Sequence, residues 1–526
     1  MRFFNTEGPI QTDIHYFLPP LERMKKAELL SLIAARKYFV LHAPRQTGKT
    51  TCLLALADEL NRTGLCRALY VNVEVAQAAR EDVPAAMSAI LSQLALQAQQ
   101  QLKDDYPEQL RKEAIAINGG FAALNWLLAK WSEADPRPLA LMLDEVDALI
   151  GDTLISLLRQ LRAGYTHRPA RFPQSVILCG VRDVRDYRIH SSKTKEIITG
   201  GSAFNIKAES LRLGNFTPDE TERLYRQHTG ETGQIFDDDI FPLVWELTGG
   251  QPWLVNALAY EACFRMPEGK DRSRPITIGM IEQAKENLIL RRDTHLDQLA
   301  DKLAEARVRR VIEPLLAGGR LEEQQVADDI QYVIDLGLIR RSDVGLEVSN
   351  AIYREIIPRE LTVVAQINFE STYRPESYVA PDGRLEMVKL LEAFQQFFRE
   401  NSESWLERFD YKEAGPQLLL QAFLQRILNG GGNINREYGL GRGRTDLLVT
   451  WPYTNGVQRV VLELKVRRGE KTLQDGLAQT AGYMDRCGAS EGHLVIFDRR
   501  KNKKWEEKIY RRTETHGPHT INVWGM

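Results

Sequence analysis

Residues 38–51 read YFVLHAPRQTGKTT, an apolar run followed by Ala43-Pro44-Arg45-Gln46-Thr47-Gly48-Lys49-Thr50 and then Thr51. A loop of this composition between a strand and a helix collects phosphate. Backbone N–H groups of the loop and of the first helical turn converge on anionic oxygens, and the helix dipole adds to the attraction. Gly48 lets the backbone come close because it has no side chain. Lys49 sets a cation against the β- and γ-phosphates of a nucleotide, and Thr50 offers a hydroxyl to Mg2+. The pattern is G-x-x-x-x-G-K-[ST] with Ala43 in place of the first glycine, a small residue that can still fit the turn. Taken without its surroundings, a G-K-T after an apolar run also arises by chance.

A second stretch supports the same chemistry. Residues 139–143 are an unbroken apolar run, as in a strand buried on both faces, and they end in Asp144-Glu145-Val146-Asp147. Beside a phosphate loop, Asp144 can hold the metal ion through its water, and Glu145 can polarise an attacking water. Alone, the two acids would read as caps of the next helix. Arg159, Arg162 and Arg171 lie between this strand and the next. A guanidinium supplied there by a neighbouring copy could neutralise γ-phosphate charge, although each reads equally as a surface ion-pair partner.

A separate constellation lies near the other end. Gly441-Arg442-Gly443-Arg444-Thr445-Asp446 opens one apolar run, and a turn at Asn455-Gly456 leads into another that carries Glu463-Leu464-Lys465. Residues i and i+2 of a strand share a face, so Glu463 and Lys465 point the same way, and hairpin pairing can bring Asp446 beside them. Two carboxylates on one face can hold Mg2+ or Mn2+. Lys465 could orient or activate water and stabilise transition-state charge. Gln479, on a following helix with Tyr483, could position the site. The plain reading is a charge alternation on an edge strand.

The elements that must carry these residues follow from periodicity. Helices are expected over 21–35, from the phosphate loop to about residue 63, and over 83–101, 122–131 and 154–163; strands over 68–73, 139–143, 175–180 and 204–211. Strands alternating with helices make a parallel sheet covered on both faces. Beyond residue 214 helices dominate, beginning at Thr217-Pro218-Asp219-Glu220, an N-cap with proline at N1 and acids in the first turn. Residues 305–341 read as helices ending in a strand; a turn at Asp343 and Gly345 returns through 346–349 to a helix over 351–360. Residues 372–384, rich in Pro, Ser, Tyr and Gly, read as a linker. A helix over 416–428, strand segments at 434–438, 447–449, 459–465 and 493–497, and a helix over 473–486 follow.

With these motifs in place, the chain resembles the STAND branch of the AAA-like P-loop ATPases. Members carry a small helical lid with a G-x-P motif whose proline touches adenine, followed by a winged helix. Gly250-Gln251-Pro252 matches that motif, and as a tripeptide it also suits a helix-breaking turn. The resemblance implies ATP and Mg2+ as cofactors. The 43–51 loop would hold the phosphates, Thr50 and Asp144 the metal, Glu145 the water, and Pro252 the base. The C-terminal part resembles the PD-(D/E)XK nuclease superfamily, which shares an αβββαβ core and cuts phosphodiesters with a divalent metal. Asp446 and Glu463 would be the ligands, with Lys465 and Gln479 completing the catalytic set. The superfamily usually adds an acid in or before the first helix. Glu413 is the nearest candidate, just outside the expected helix, and Glu437 is the alternative.

Composition bounds the rest. The chain has 526 residues, net charge −2 and 43% hydrophobic residues, enough for sizeable cores, and about 150 residues per domain gives three or four domains. There is no run of eighteen apolar residues and no basic stretch leading into an apolar one at the N-terminus. No membrane partner and a cytoplasmic location are therefore expected. Cys52, Cys66, Cys179, Cys263 and Cys487 are scattered, the pattern of reduced thiols. Residues 401–526 hold 20 Lys and Arg against 15 Asp and Glu, ending in the cluster Arg499, Arg500, Lys501, Lys503, Lys504, Lys508, Arg511 and Arg512. Such a cluster can sit on phosphates or simply be solvated. The fold expected is α/β: a P-loop parallel-sheet ATPase core over 1–214, a helical lid over 215–292, a winged-helix-like part over 293–362, a linker region over 363–400, and an αβββαβ restriction-endonuclease-like domain over 401–526. The function expected is an ATP-binding and hydrolysing protein that controls a metal-dependent nuclease, an architecture often found in prokaryotic defence. Nucleic acid, with DNA first, is the expected partner, and a trans arginine would require a homo-oligomer. The alternatives are a signalling ATPase whose C-terminal domain binds nucleic acid or a partner without cutting, and a DNA-translocating motor.

Overall fold

The computed structural model describes residues 1–183, 188–190, 197–199, 204–291, 294–316, 323–343, 345–361, 378–406, 416, 419–421, 423–424, 433–436, 446–454, 456–467, 469, 471–498, 500 and 503–526. It divides into two compact units: Met1–Arg291 with Ile334–Leu338, and Arg292–Val333 with Ile339–Met526.

The first unit is built on a five-stranded sheet, in the order Arg67–Asn72, Leu139–Asp144, Ser175–Gly180, Tyr38–His42, Lys207–Arg212. Every neighbouring pair is parallel. Side-chain alternation divides the apolar residues between two cores. Val40, Leu69, Leu141 and Leu178 face the helices Val83–Gln97, Tyr106–Ala134 and Gly151–Ala163. Phe39, Ala68, Tyr70, Met142 and Cys179 face the helices Lys26–Ala34 and Lys49–Thr63. The parallel sheet and its two covered faces are those expected, and the strand order puts the phosphate-loop strand inside the sheet. Two differences stand out. The helix expected over 21–35 is two helices, Pro20–Arg23 and Lys26–Ala34, broken where Lys25 takes a left-handed φ of 49°. A short antiparallel pair, Arg188–His190 with Ile197–Thr199, was not anticipated.

The same unit continues into helices Pro218–Thr232, Ile240–Thr248, Pro252–Tyr260 and Ile278–Arg291. Thr217 caps the first of these in a reciprocal box with Glu220, satisfying two otherwise orphaned backbone donors. The N-terminal pair Phe3–Phe4 and His15–Tyr16 packs here, with Tyr16 buried against Phe4 and His228.

In the second unit, helices Thr294–Leu303, Ala306–Leu316 and Glu323–Asp335 (the last two residues of which group with the first unit) precede a hairpin, Ile339–Ser342 with Gly345–Val348. Helix Ala351–Leu361 follows. A six-stranded mixed sheet ends the chain, ordered Asn433–Arg436, Asp446–Tyr453, Gly456–Val466, Glu491–Phe497, His519–Gly525, Tyr510–His516. One face is covered by Met387–Leu406, whose Leu390, Phe394, Phe397 and Phe398 join Leu419 and Phe423. The other is covered by Lys471–Cys487 through Leu477, Ala481 and Met484. The C-terminal part of the region read as linker, 387–400, is therefore helix, held by an apolar stripe at i, i+4, i+7 and i+8. The final hairpin was not anticipated either. Its edge strand, YRRTETH, carries no apolar alternation.

Among the described residues no helix is long and apolar enough to cross a membrane. Cys52, Cys66, Cys179 and Cys263 are buried free thiols, and Cys487 is half-buried. Burial pushes Cys52 and Cys66 up to about 11 and Cys263 up to about 12.

Candidate functional site

The phosphate loop leaves the strand Tyr38–His42 at its C-terminal end and runs straight into the helix that begins at Lys49. Ala43 is fully buried in the sheet core and does not take a positive φ, so the position needs no glycine. The positive φ values fall on Gln46 at 58° and Gly48 at 91°. Thr47 Oγ1 donates to the Pro44 carbonyl at 2.8 Å, tightening the loop, while Arg45 is exposed. Lys49 is 6% exposed, and its ammonium donates to the carbonyls of Ala43 and Pro44 at 3.0 Å each. Among the described residues no carboxylate lies within ion-pair distance of it. A buried cation held only by carbonyls at the mouth of an N–H-lined loop fits an anion there. Thr51 Oγ1 accepts from the Ile10 amide at 3.2 Å.

Asp144 ends its strand fully buried. Its Oδ2 accepts from Thr50 Oγ1 at 2.7 Å and from the Tyr70 hydroxyl at 3.0 Å, and its Oδ1 accepts from the Glu145 amide at 2.9 Å. Thr50 and Asp144, the two expected metal-side ligands, are thus in direct contact. This oxygen pair suits Mg2+, which takes few protein oxygens and keeps its waters. Tyr70 was missed from sequence. It lies on a different strand, Arg67–Asn72, and only non-local strand pairing brings it to Asp144. Burial and the neighbouring Asp144 carboxylate push its hydroxyl well above the ordinary tyrosine range.

Glu145 holds a left-handed φ of 57°, which turns its backbone sharply after the strand. Its carboxyl is pushed up chiefly by burial and by Asp147, while Lys49 pulls it down. A raised carboxyl beside a phosphate loop is a better proton acceptor than an ordinary one. Asp147, two residues on, has a buried Oδ1 with no hydrogen-bond partner among the described residues. Arg159 and Arg162 are exposed on the helix Gly151–Ala163, and exposed Arg171 stands 3.4 Å from Glu133.

The Gly250-Gln251-Pro252 turn is a helix start. Gln251 caps it by accepting from the Leu254 amide at 2.6 Å, and buried Pro252 takes the first helical position. Gly250 has φ 70°, and a Cβ there would stand 2.1 Å from the Phe216 carbonyl. Only glycine fits.

In the second unit, residue 446 stands directly opposite Glu463 in the register of the hairpin. Glu463 is buried, and its Oε1 lies 2.5 Å from Lys465 Nζ. Gln479 is half-buried on the helix Lys471–Cys487, which packs on Gly456–Val466 and Glu491–Phe497. Glu413, Glu437 and the 441–445 segment lie outside the described residues. Among the described residues no three His, Cys, Asp or Glu side chains gather closely enough to hold a metal ion. The basic cluster is largely paired: Arg500 with Asp498 at 2.6 Å, Arg511 with Glu392 at 2.6 Å, and Arg512 with Glu514 at 3.0 Å. Lys503 stands 3.8 Å from Glu507, and Lys508 lies over the Trp505 ring. Arg499 and Lys501 lie outside the described residues.

Residues 34–187 match the family model described as an AAA domain. The chain therefore carries an AAA-type P-loop ATPase domain, the module of an ATP-hydrolysing enzyme that uses ATP and usually Mg2+. Among curated sequences none matches the chain. Among solved structures it is similar to a Walker-type ATPase of Pyrococcus abyssi, with 14% identity and TM-score 0.46, covering 67% of this chain and 99% of that one. It is also similar to the RuvB Holliday junction branch migration motor of Thermotoga maritima, at 15% identity, TM-score 0.33, and 62% and 91% coverage. Cdc6p from Pyrobaculum aerophilum aligns at 14% identity, TM-score 0.34, and 64% and 94% coverage.

Proposed function

We propose that the chain uses its ATPase domain to control a metal-dependent phosphodiester-cleaving domain at residues 401–526. The observation that carries the reading is the hairpin register that sets residue 446 across from Glu463, with the Lys465 ammonium on the Glu463 carboxylate. Asp446 and Glu463 would hold a divalent ion, and the ion when bound would supply Lewis-acid activation of water beside an anionic phosphate. Lys465 would orient Glu463 and offer a cation to developing charge, and Gln479 would position the site from its helix. On the ATPase side the 43–51 loop would take the phosphates, Thr50 and Asp144 the Mg2+, Glu145 the water proton, and Pro252 the adenine. Residues 215–292 would be the lid and 293–362 a winged-helix-like relay to the effector. The partners are nucleic acid, DNA first, and further copies of the chain, with Arg162 the favoured trans arginine.

The test is cleavage by the full chain of DNA and RNA, with and without ATP, in Mg2+ and in Mn2+. Cutting that depends on metal and responds to ATP supports the proposal. The second reading is an ATPase whose C-terminal domain binds nucleic acid or a partner without cutting. Binding with no cut in any metal would select it.

A further inference from the structure

The break between Pro20–Arg23 and Lys26–Ala34 leaves Arg23 behind the phosphate loop. Its Nη1 donates to the Thr47 carbonyl at 3.0 Å, and its Nη2 donates to the Gly214 carbonyl at 2.8 Å. The guanidinium lies over the Phe216 ring, 4.6 Å from its centroid. Its Nε is buried with no hydrogen-bond partner, and no carboxylate lies within ion-pair distance, among the described residues. Gly48 shares this close approach, since a Cβ there would stand 3.1 Å from Arg23 Nη1.

Both ends of this bridge matter. The Thr47 carbonyl and the Gly48 amide belong to one planar trans peptide, so they point in opposite directions. A donor that holds the carbonyl on the back of the loop turns the Gly48 N–H toward the phosphate side. At the other end, 214–216 joins the sheet strand Lys207–Arg212 to the helices that follow. The Phe216 amide donates to the Gly250 carbonyl at 2.8 Å, and Asn215 Nδ2 donates to the Gly249 carbonyl at 2.9 Å. One planar fork therefore grips the phosphate loop and the joint that carries the Gly250–Pro252 turn.

We infer that Arg23 is a positioning residue for the nucleotide site: it aligns the Gly48 amide for phosphate and couples the loop to the turn at Gly250. The inference rests on the phosphate-loop reading. Lysine could replace its charge but not its two-pronged geometry.

The test uses the full chain with ATP and ADP as probes. Arg23→Met should weaken both nucleotides about tenfold, a loss of one well-placed charged hydrogen bond. At saturating ADP, amide exchange in the unaltered chain should slow both at the phosphate loop and at 249–250; in the variant the loop should still slow and the slowing at 249–250 should vanish. Arg23→Lys, which keeps charge and stem, should show the same loss of coupling, and it serves if the Met variant does not fold. Wild-type affinity and wild-type protection at 249–250 in either folded variant overturn the inference. Lys49→Ala separates the two failures. If it abolishes binding while the Arg23 variants behave as wild type, only the Arg23 role falls. If the unaltered chain binds no nucleotide, both readings fall.

Discussion

The proposed chemistry at residue scale turns on two carboxylates three bonds of backbone apart and different in setting. Asp144 spends its oxygens on Thr50, Tyr70 and an amide, a fixed geometry that suits the proposed part of metal ligand. Glu145, one residue later, is swung away by its left-handed φ and raised by burial and Asp147. Glu145→Gln should keep ATP binding and slow hydrolysis by about 100- to 10,000-fold, the usual worth of a general base, as measured by steady-state phosphate release. The pH profile follows in sign. The base acts only when ionised and its carboxyl is raised, so hydrolysis should fall on acidification at a higher pH than an ordinary carboxylate would set, and Glu145→Gln should lack that limb. An acid limb no higher than that of a free carboxylate would remove Glu145 from the role.

At the scale of elements, the sequence was readable wherever a local signal sufficed. The Thr217 cap, the unbroken strand at 139–143 and the loop from Ala43 to Thr50 all carry their meaning within a few residues. Tyr70 and Arg23 do not, because strand order and a two-residue break in a helix bring them to the site from elsewhere in the chain. The helix Met387–Leu406 takes up part of the expected linker region because the Pro- and Gly-rich run beside it blurs the boundary in the sequence. The edge strand Tyr510–His516 is not legible in the sequence because its polar residues hide the period of two. One helix pair also carries a testable consequence. His295, buried on Thr294–Leu303, lies 2.6 Å from the Tyr353 hydroxyl on Ala351–Leu361, and burial lowers its pKa to about 4. The unfolded chain takes up a proton near 6.5 and the folded one does not. This contribution to stability is therefore whole above that pH and declines as pH falls toward 4, by about 1.4 kcal/mol per pH unit. Denaturant midpoints from pH 7 to 4.5 should show the decline in the second unit, and His295→Gln should flatten it. An equally steep decline in the variant would assign it to other groups.

Over the whole molecule, the ATPase domain and the proposed cleavage site lie in separate compact units, so a lesion at the proposed cleavage site should leave ATP hydrolysis in place. Asp446→Ala and Glu463→Ala should each abolish cleavage while ATP hydrolysis stays within about twofold of wild type, since losing one carboxylate leaves too little ligand charge for a hard cation. Lys465→Ala should lower the cleavage rate even at saturating metal, which separates a charge-stabilising role from a ligand's. Cleavage unaltered by Asp446→Ala would remove the metal site from this hairpin. The thiols give the chain a clock of its own. Thiolates, not thiols, react with alkylating agents, and burial holds Cys52, Cys66, Cys179 and Cys263 protonated. A maleimide dye at neutral pH should therefore mark half-buried Cys487 first. Cys52 lies on the helix that the phosphate loop feeds, with its sulfur against the Pro20 carbonyl. The delay before a second dye appears there would time how often that helix opens, and bound nucleotide should lengthen it.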